Sequence, residues 1–187
     1  HALAIKANPL SRVLEMCSQS GLGAEAASMG EVNLALKAGY QPQQIVFDSP
    51  VKTKNELVAA LKTGVYINID NLSELKRISD LLPGEKHFGS VGIRINPQVG
   101  LGSIPESSVA GEYSKFGVPI KTGKKDLLEA FSTFPWLSGV HLHVGSQGCS
   151  MELLVNGIGV LYDFMLEANE IRKKCGFPAI AFFDIGG

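Results

Sequence analysis

One pattern recurs through the chain and limits what it can fold into. A short apolar run closes on a polar residue, a helix-capping sequence follows, and an amphipathic stretch then stops at glycine or proline. Ser28-Met29-Gly30-Glu31, Thr53-Lys54-Asn55-Glu56 and Asn71-Leu72-Ser73-Glu74 each carry a side-chain acceptor with a glutamate three residues on. In a capping box the acceptor takes the N3 amide and the glutamate returns to the cap's own N–H. The apolar runs read as strands over residues 3–6, 24–28, 45–49, 65–70, 91–95, 139–144 and 180–185, and helices are expected between them. Seven strands alternating with six helices predict a parallel sheet with right-handed crossovers.

Two parallel architectures compete. A doubly wound sheet normally carries a glycine fingerprint at its first strand–helix turn; here that turn is Lys6-Ala7-Asn8-Pro9. A (β/α)8 barrel instead gathers polar residues at the C-terminal ends of its strands. The strand ends here supply Lys6, Glu25, Asp48, Asp70, Arg94 with Asn96, His143 with Ser146, and Asp184 with Gly186. The expected fold class is therefore α/β, a TIM-type (β/α)8 barrel one strand–helix unit short of closure, with residues 1–187 as one domain. A long Gly/Ser/Pro-rich loop over 98–118 is unusual inside a compact domain and is expected to be functional. The helix after it is expected over about 124–134.

Composition narrows the classes. The chain is 45% hydrophobic and 19% charged with a formal net charge of −1, which predicts a soluble globular protein with no nucleic-acid or polybasic membrane surface. No apolar run reaches membrane-spanning length. Cys17, Cys149 and Cys175 lack metal-site spacing, so reduced thiols in a cytoplasmic protein are expected. The chain has no initiator Met and opens and stops inside structured motifs, so it is expected to be a fragment cut at both ends.

Lys6 stands at a strand end before an Asn-Pro break. One reading has it snorkelling or pairing with Glu25 or Asp48. The other has it desolvated in a barrel mouth, where a neutral amine forms a Schiff base with a carbonyl cofactor. His141 and His143 point to one side of a strand. A metal pair there lacks a third ligand by spacing. His141 reads as a core histidine, and His143 as a flat ring that stacks on a planar cofactor. Gly145-Ser146 offers close backbone approach and a hydroxyl, both suited to phosphate. Gly186-Gly187 falls at the seventh strand end, near where barrels often bind phosphate. Glu25 and Arg94 fit either an ion pair or catalysis. Glu31, Glu56 and Glu74 read as capping residues, and Phe134 with Trp136 as packing.

Several of these motifs together resemble the pyridoxal-phosphate-dependent amino-acid decarboxylases of the alanine-racemase-like barrel fold. Ala4-Ile5-Lys6-Ala7-Asn8, the segment from Gly23 to Glu31 with Ala35, Arg94-Ile95-Asn96-Pro97, Ser114-Lys115-Phe116-Gly117, His143-Val144-Gly145-Ser146-Gln147 and Asp184-Ile185-Gly186-Gly187 follow the family's order across nearly the whole chain. The resemblance implies pyridoxal 5'-phosphate as cofactor. It makes Lys6 the covalent lysine, stacks His143 on the pyridine ring, has Ser146, Gly186 and Gly187 hold the phosphate, and puts Glu25 and Arg94 near the Schiff base. Asn96-Pro97 and Gln147 look most like the diaminopimelate decarboxylase branch, which implies meso-diaminopimelate as substrate, lysine as product and a homodimeric full-length protein. Leu3 replaces a usual tyrosine, and Glu25 replaces a usual aspartate, as in the arginine branch. An arginine- or ornithine-type decarboxylase, an amino-acid racemase and a non-catalytic regulator are the alternatives. The resemblance also implies an eighth strand, an acidic partner for the pyridine nitrogen and a C-terminal β-domain beyond these residues, so the fragment alone is expected to be inactive.

Overall fold

The computed structural model describes residues 1–82, 89–104 and 108–186. The chain divides into two compact units, His1–Val91 and Gly92–Gly187. The expected helix stop at Pro83-Gly84 and the expected phosphate ligand Gly187 lie outside the described residues.

In the first unit the order is β1 (Ala2–Ala4), α1 (Ser11–Gln19), β2 (Gly23–Ala26), α2 (Met29–Lys37), β3 (Ile45–Phe47), α3 (Lys54–Thr63), β4 (Tyr66–Ile69) and α4 (Leu72–Leu81). The four strands pair in chain order and in parallel, with Ala4 opposite Glu25, Glu25 opposite Val46 and Val46 opposite Tyr66. All four β4 residues are buried, as befits parallel strands covered on both faces. β1 is shorter than expected. It ends at Ala4, and Ile5–Ala7 form a single 3-10 turn closed by Asn8 N–H donating to the Ile5 carbonyl at 3.0 Å. Asn8 precedes proline and is held extended, so the turn tucks Ile5 into the core and leaves Lys6 outside.

The cap acceptors are where the sequence puts them. Ser28, Thr53 and Asn71 each accept the amide of the glutamate three residues later. Only Glu56 completes its box as expected, accepting the Thr53 N–H at 2.7 Å. Glu31 and Glu74 reach one residue further back, to the amides of Ala27 at 2.7 Å and Asp70 at 2.8 Å.

Glu74 has a second partner that the capping pattern conceals. Lys52, fully buried, lies 3.1 and 3.2 Å from its two carboxylate oxygens. The other two ammonium protons go to the carbonyls of Ser49 at 2.6 Å and Asn68 at 2.7 Å. All three Lys52 donors are thereby used. The one side chain ties the loop after β3 to the end of β4 and the start of α4. Burial lowers the Lys52 pKa below its ordinary value, and the Glu74 carboxylate opposes that shift.

The second unit runs β5 (Val91–Asn96, its first residue at the unit boundary), β6 (Val118–Pro119), α5 (Ile120–Thr133), β7 (Leu137–His141), α6 (Met151–Lys174) and β8 (Phe182–Asp184). β7 lies between β5 and β8, and β6 pairs with β5 in parallel, Ile95 opposite Val118. The described residues thus hold one strand more than the sequence predicts, because the long loop ends in β6. α5 also starts earlier, at Ile120. Gln98, with φ +53, supplies the cap that the local sequence lacks: its Oε1 accepts the Lys121 N–H at 2.9 Å, and its Nε2 donates to the Glu112 carbonyl at 3.1 Å.

Arg172, near the end of α6, is buried and turns inward. It donates to the carbonyls of Leu137 at 2.8 Å, Pro135 at 3.1 Å and Pro178 at 2.7 Å. The guanidinium satisfies the chain leaving α5 and entering β7, where backbone acceptors are otherwise left over. Among the described residues, no helix is long and apolar enough to cross a membrane.

Removing one member of a buried ion pair strands the other, at about 3–5 kcal/mol, whereas an apolar replacement of both members is far less costly. Glu74→Ala is expected to lower stability in urea unfolding by that amount, and the Lys52→Met/Glu74→Leu double variant by much less. Equal losses in the single and double variants would show that the pair is not what holds these strand ends.

Candidate functional site

Two groups of residues gather the predicted chemistry, one in each unit. In the first, Lys6 rides on the exposed side of the 3-10 turn after β1. Its ammonium is therefore not buried within this chain, contrary to the expectation of a desolvated amine. Glu25, half-buried in β2, stands directly opposite Ala4, two residues before the lysine. Asp48 and Asp70 follow the last residues of β3 and β4, with the Asp48 amide donating to Ala26 O at 2.9 Å. Three acidic residues and one lysine thus stand on or just past successive parallel strands.

In the second unit β7 stops at His141, so His143 stands two residues beyond the strand rather than within it. Its ring is half-buried, and the chain then runs through Gly145, with φ +155, to exposed Ser146 and Gln147. The long loop folds back over this segment. Ser108 bridges Gly145 in antiparallel fashion, Val109 N–H donates to Val144 O at 3.2 Å, and Ser103 N–H donates to Gly148 O at 2.8 Å. A cavity of about 420 Å3 opens beside it, lined by Leu101, Gly102, Ser103, Gly148, Cys149, Ser150 and Leu153. None of the predicted site residues lines it.

Gly186 is placed against His143. A Cβ there would lie 2.6 Å from the Leu142 carbonyl oxygen and 2.7 Å from His143 Nδ1, and the residue's φ is +67. Both the contact and the dihedral demand glycine. Its N–H donates to Asp184 Oδ1 at 2.9 Å, so Gly186 contributes close approach and turn shape. Asp184 Oδ2 lies 3.0 Å from Nδ1 of His141, which is buried.

Arg94 belongs to the same unit, in the interior of β5. Its guanidinium carbon lies 4.9 Å from the Phe116 ring centroid, within cation–π range. Gly117, with φ +72, passes so close that a Cβ would meet Arg94 Cγ at 3.1 Å. The Arg94-Ile95-Asn96-Pro97 and Ser114-Lys115-Phe116-Gly117 segments are thus packed together. Asn96 adds a hydrogen bond from Nδ2 to Gly111 O at 2.9 Å.

Of the residues foreseen from sequence, the structure sets Lys6 near Glu25 along the first unit's strands and brings His143 into contact with Gly186 in the second. Lys52 was not foreseen, because it sits in a polar turn just before a capping box and reads as solvated. Asp184 was foreseen as a strand end and as the first residue of the Asp184-Ile185-Gly186-Gly187 motif, without a partner named for its side chain.

The residues present suit a phosphorylated planar ring. A flat, half-exposed imidazole stands against a backbone turn that any Cβ would block, with an exposed hydroxyl three residues on. The comparisons agree. Residues 2–187 match the family model described as pyridoxal-dependent decarboxylase, pyridoxal binding domain. Diaminopimelate decarboxylase from Helicobacter pylori is 33% identical over 98% of this chain and 45% of its own length. The enzyme of the same name from Methanothermobacter thermautotrophicus is 32% identical over 98% of this chain and 41% of its own length. A crystal structure of the Helicobacter pylori enzyme complexed with L-lysine superposes with a TM-score of 0.84 at 31% identity, covering 100% of this chain and 46% of that one. The chain therefore spans less than half the length of these relatives, and its fold class is α/β, with the parallel strand–helix alternation of a TIM-type barrel. With cofactor class and fold in agreement, the chain belongs to the pyridoxal-dependent decarboxylase family, as its pyridoxal binding domain.

Proposed function

We propose that the protein containing this chain decarboxylates meso-diaminopimelate to lysine, with residues 1–187 acting as one cofactor-binding barrel domain and a homodimer as the working form. The observation that carries this reading is the glycine-only approach of Gly186 to the His143 imidazole. It is supported by relatives named diaminopimelate decarboxylase over 98% of the chain. In the overall reaction a carboxylate leaves as CO2 and a proton returns to the carbon that bore it. Pyridoxal phosphate supplies the electron-accepting ring that makes loss of the carboxylate possible.

The chain's own residues bind and orient. Lys6 presents its ε-amine from a turn whose neighbour Ile5 is anchored in the core, so the amine is displayed from a fixed base. In this reading Lys6 is the covalent attachment point and Glu25, near it along the strands, sets the charge beside that amine. His143 is a flat wall for the ring. Ser146 offers a hydroxyl to the phosphate, Gly186 allows the backbone to come close, and Gly187 completes that sequence motif. Arg94 is braced by Phe116 and supplies a fixed positive charge in its unit.

The substrate assignment is tested by CO2 release from the intact protein with meso-diaminopimelate, arginine, ornithine and lysine offered separately. The expected result is turnover of diaminopimelate, with kcat/KM at least a hundredfold above the other three. A preference for arginine would assign the protein to the branch that shares Glu25, and exchange of the α-proton without CO2 release would make it a racemase. His143→Ala is expected to weaken pyridoxal phosphate binding by roughly ten- to a hundredfold, on the scale of about 1–3 kcal/mol for a lost stacking partner. Gly159→Ala, where nothing beyond the helix's own backbone and the adjacent residues lies within 4 Å of the added carbon, should leave it unchanged. Equal affinity in wild type and His143→Ala would remove the stacking role.

A further inference from the structure

The Asp184 carboxylate makes two contacts at once, and both lead to the cofactor-facing residues. β7 and β8 are parallel with His141 directly opposite Asp184. Directly opposed residues share a face of the sheet, which lets Asp184 Oδ2 come within 3.0 Å of His141 Nδ1. Oδ1 accepts the Gly186 N–H at 2.9 Å, closing an Asx-type turn two residues long. The backbone is pinned alongside, with Leu142 N–H donating to Asp184 O at 3.0 Å. Gly186 emerges at φ +67 against the His143 ring. One carboxylate therefore spans the last residue of β7 and the glycine turn after β8.

We propose that His141 and Asp184 are positioning residues for the cofactor. His141 orients the carboxylate, and the carboxylate holds the Gly186 turn at a fixed distance from the His143 imidazole. The proposal rests on the reading of His143 and Gly186 as cofactor-facing residues. It assigns a job to His141, which sequence alone leaves as a core histidine.

The composition of the pair favours this over simple packing. β8 could close on β7 with apolar residues alone, as Val140 and Phe183 do one register earlier. An imidazole at 3% side-chain exposure beside a carboxylate at 29% requires desolvating polar groups. The observed contacts put the carboxylate between that imidazole and the Gly186 turn.

The test uses the intact protein with pyridoxal phosphate as the probe, reading the dissociation constant, the 31P resonance of the bound phosphate and the unfolding temperature without cofactor. Asp184→Ala is expected to bind roughly ten- to a hundredfold more weakly, the scale of a hydrogen bond to a charged group, and to shift the 31P signal. Asp184→Asn keeps an acceptor for the Gly186 amide and is expected to recover most of the affinity and the wild-type 31P position. Unchanged affinity and 31P shift in Asp184→Ala would overturn the proposal. Should that variant fail to fold, His141→Phe decides: weaker binding at an unchanged unfolding temperature supports positioning, and unchanged binding overturns it. If the wild-type protein takes up no pyridoxal phosphate, the underlying cofactor reading fails instead.

Discussion

A buried ammonium has three protons to place, and the chain meets that demand at Lys52 with two strand-end carbonyls and one carboxylate. The constraint propagates. Ser49 and Asn68 are pulled to one point, so the ends of β3 and β4 come into register. Glu74 is drawn to the same point and fixes the start of α4. Asp48 and Asp70 are the residues that directly follow the two strands. A lysine in water would give up little by leaving; this one has no solvent to leave to.

The second unit solves a similar problem with the opposite charge. Asp184 accepts the Gly186 N–H and lies 3.0 Å from His141 Nδ1, and the result is again a fixed relation between two strand ends. Arg172 does the same for the chain between α5 and β7, using backbone carbonyls alone. In each case a charged side chain satisfies polar groups where regular structure stops, which is where a barrel-type fold keeps its chemistry. His143 and Gly186, the residues proposed to face the cofactor, stand directly beside such a contact.

How much of this was legible depended on range. Capping is local, and the Ser28, Thr53 and Asn71 acceptors were readable because donor and acceptor lie three residues apart. Alternation of apolar runs and helices gave the parallel class, and family motifs led to His143 and Gly186. Contacts between distant residues were not legible. Lys52 meets Glu74 across 22 positions and Gln98 caps a helix 23 positions away; neither leaves a periodic trace. Lys6 was legible as a motif but misplaced as a strand end. The Asn8-Pro9 restriction that bends the chain after Ala4 was visible, yet its consequence, an inward Ile5 and an outward Lys6, emerges only when the turn is built.

The central claim is that Lys6, displayed from that turn, is the covalent partner of pyridoxal phosphate. Borohydride reduction of the cofactor-loaded protein, followed by proteolysis and mass spectrometry, tests it directly. The account predicts a pyridoxyl group on the peptide carrying Lys6, and loss of the visible absorption band in Lys6→Ala. A label on any other lysine, or a band that survives that substitution, would contradict it.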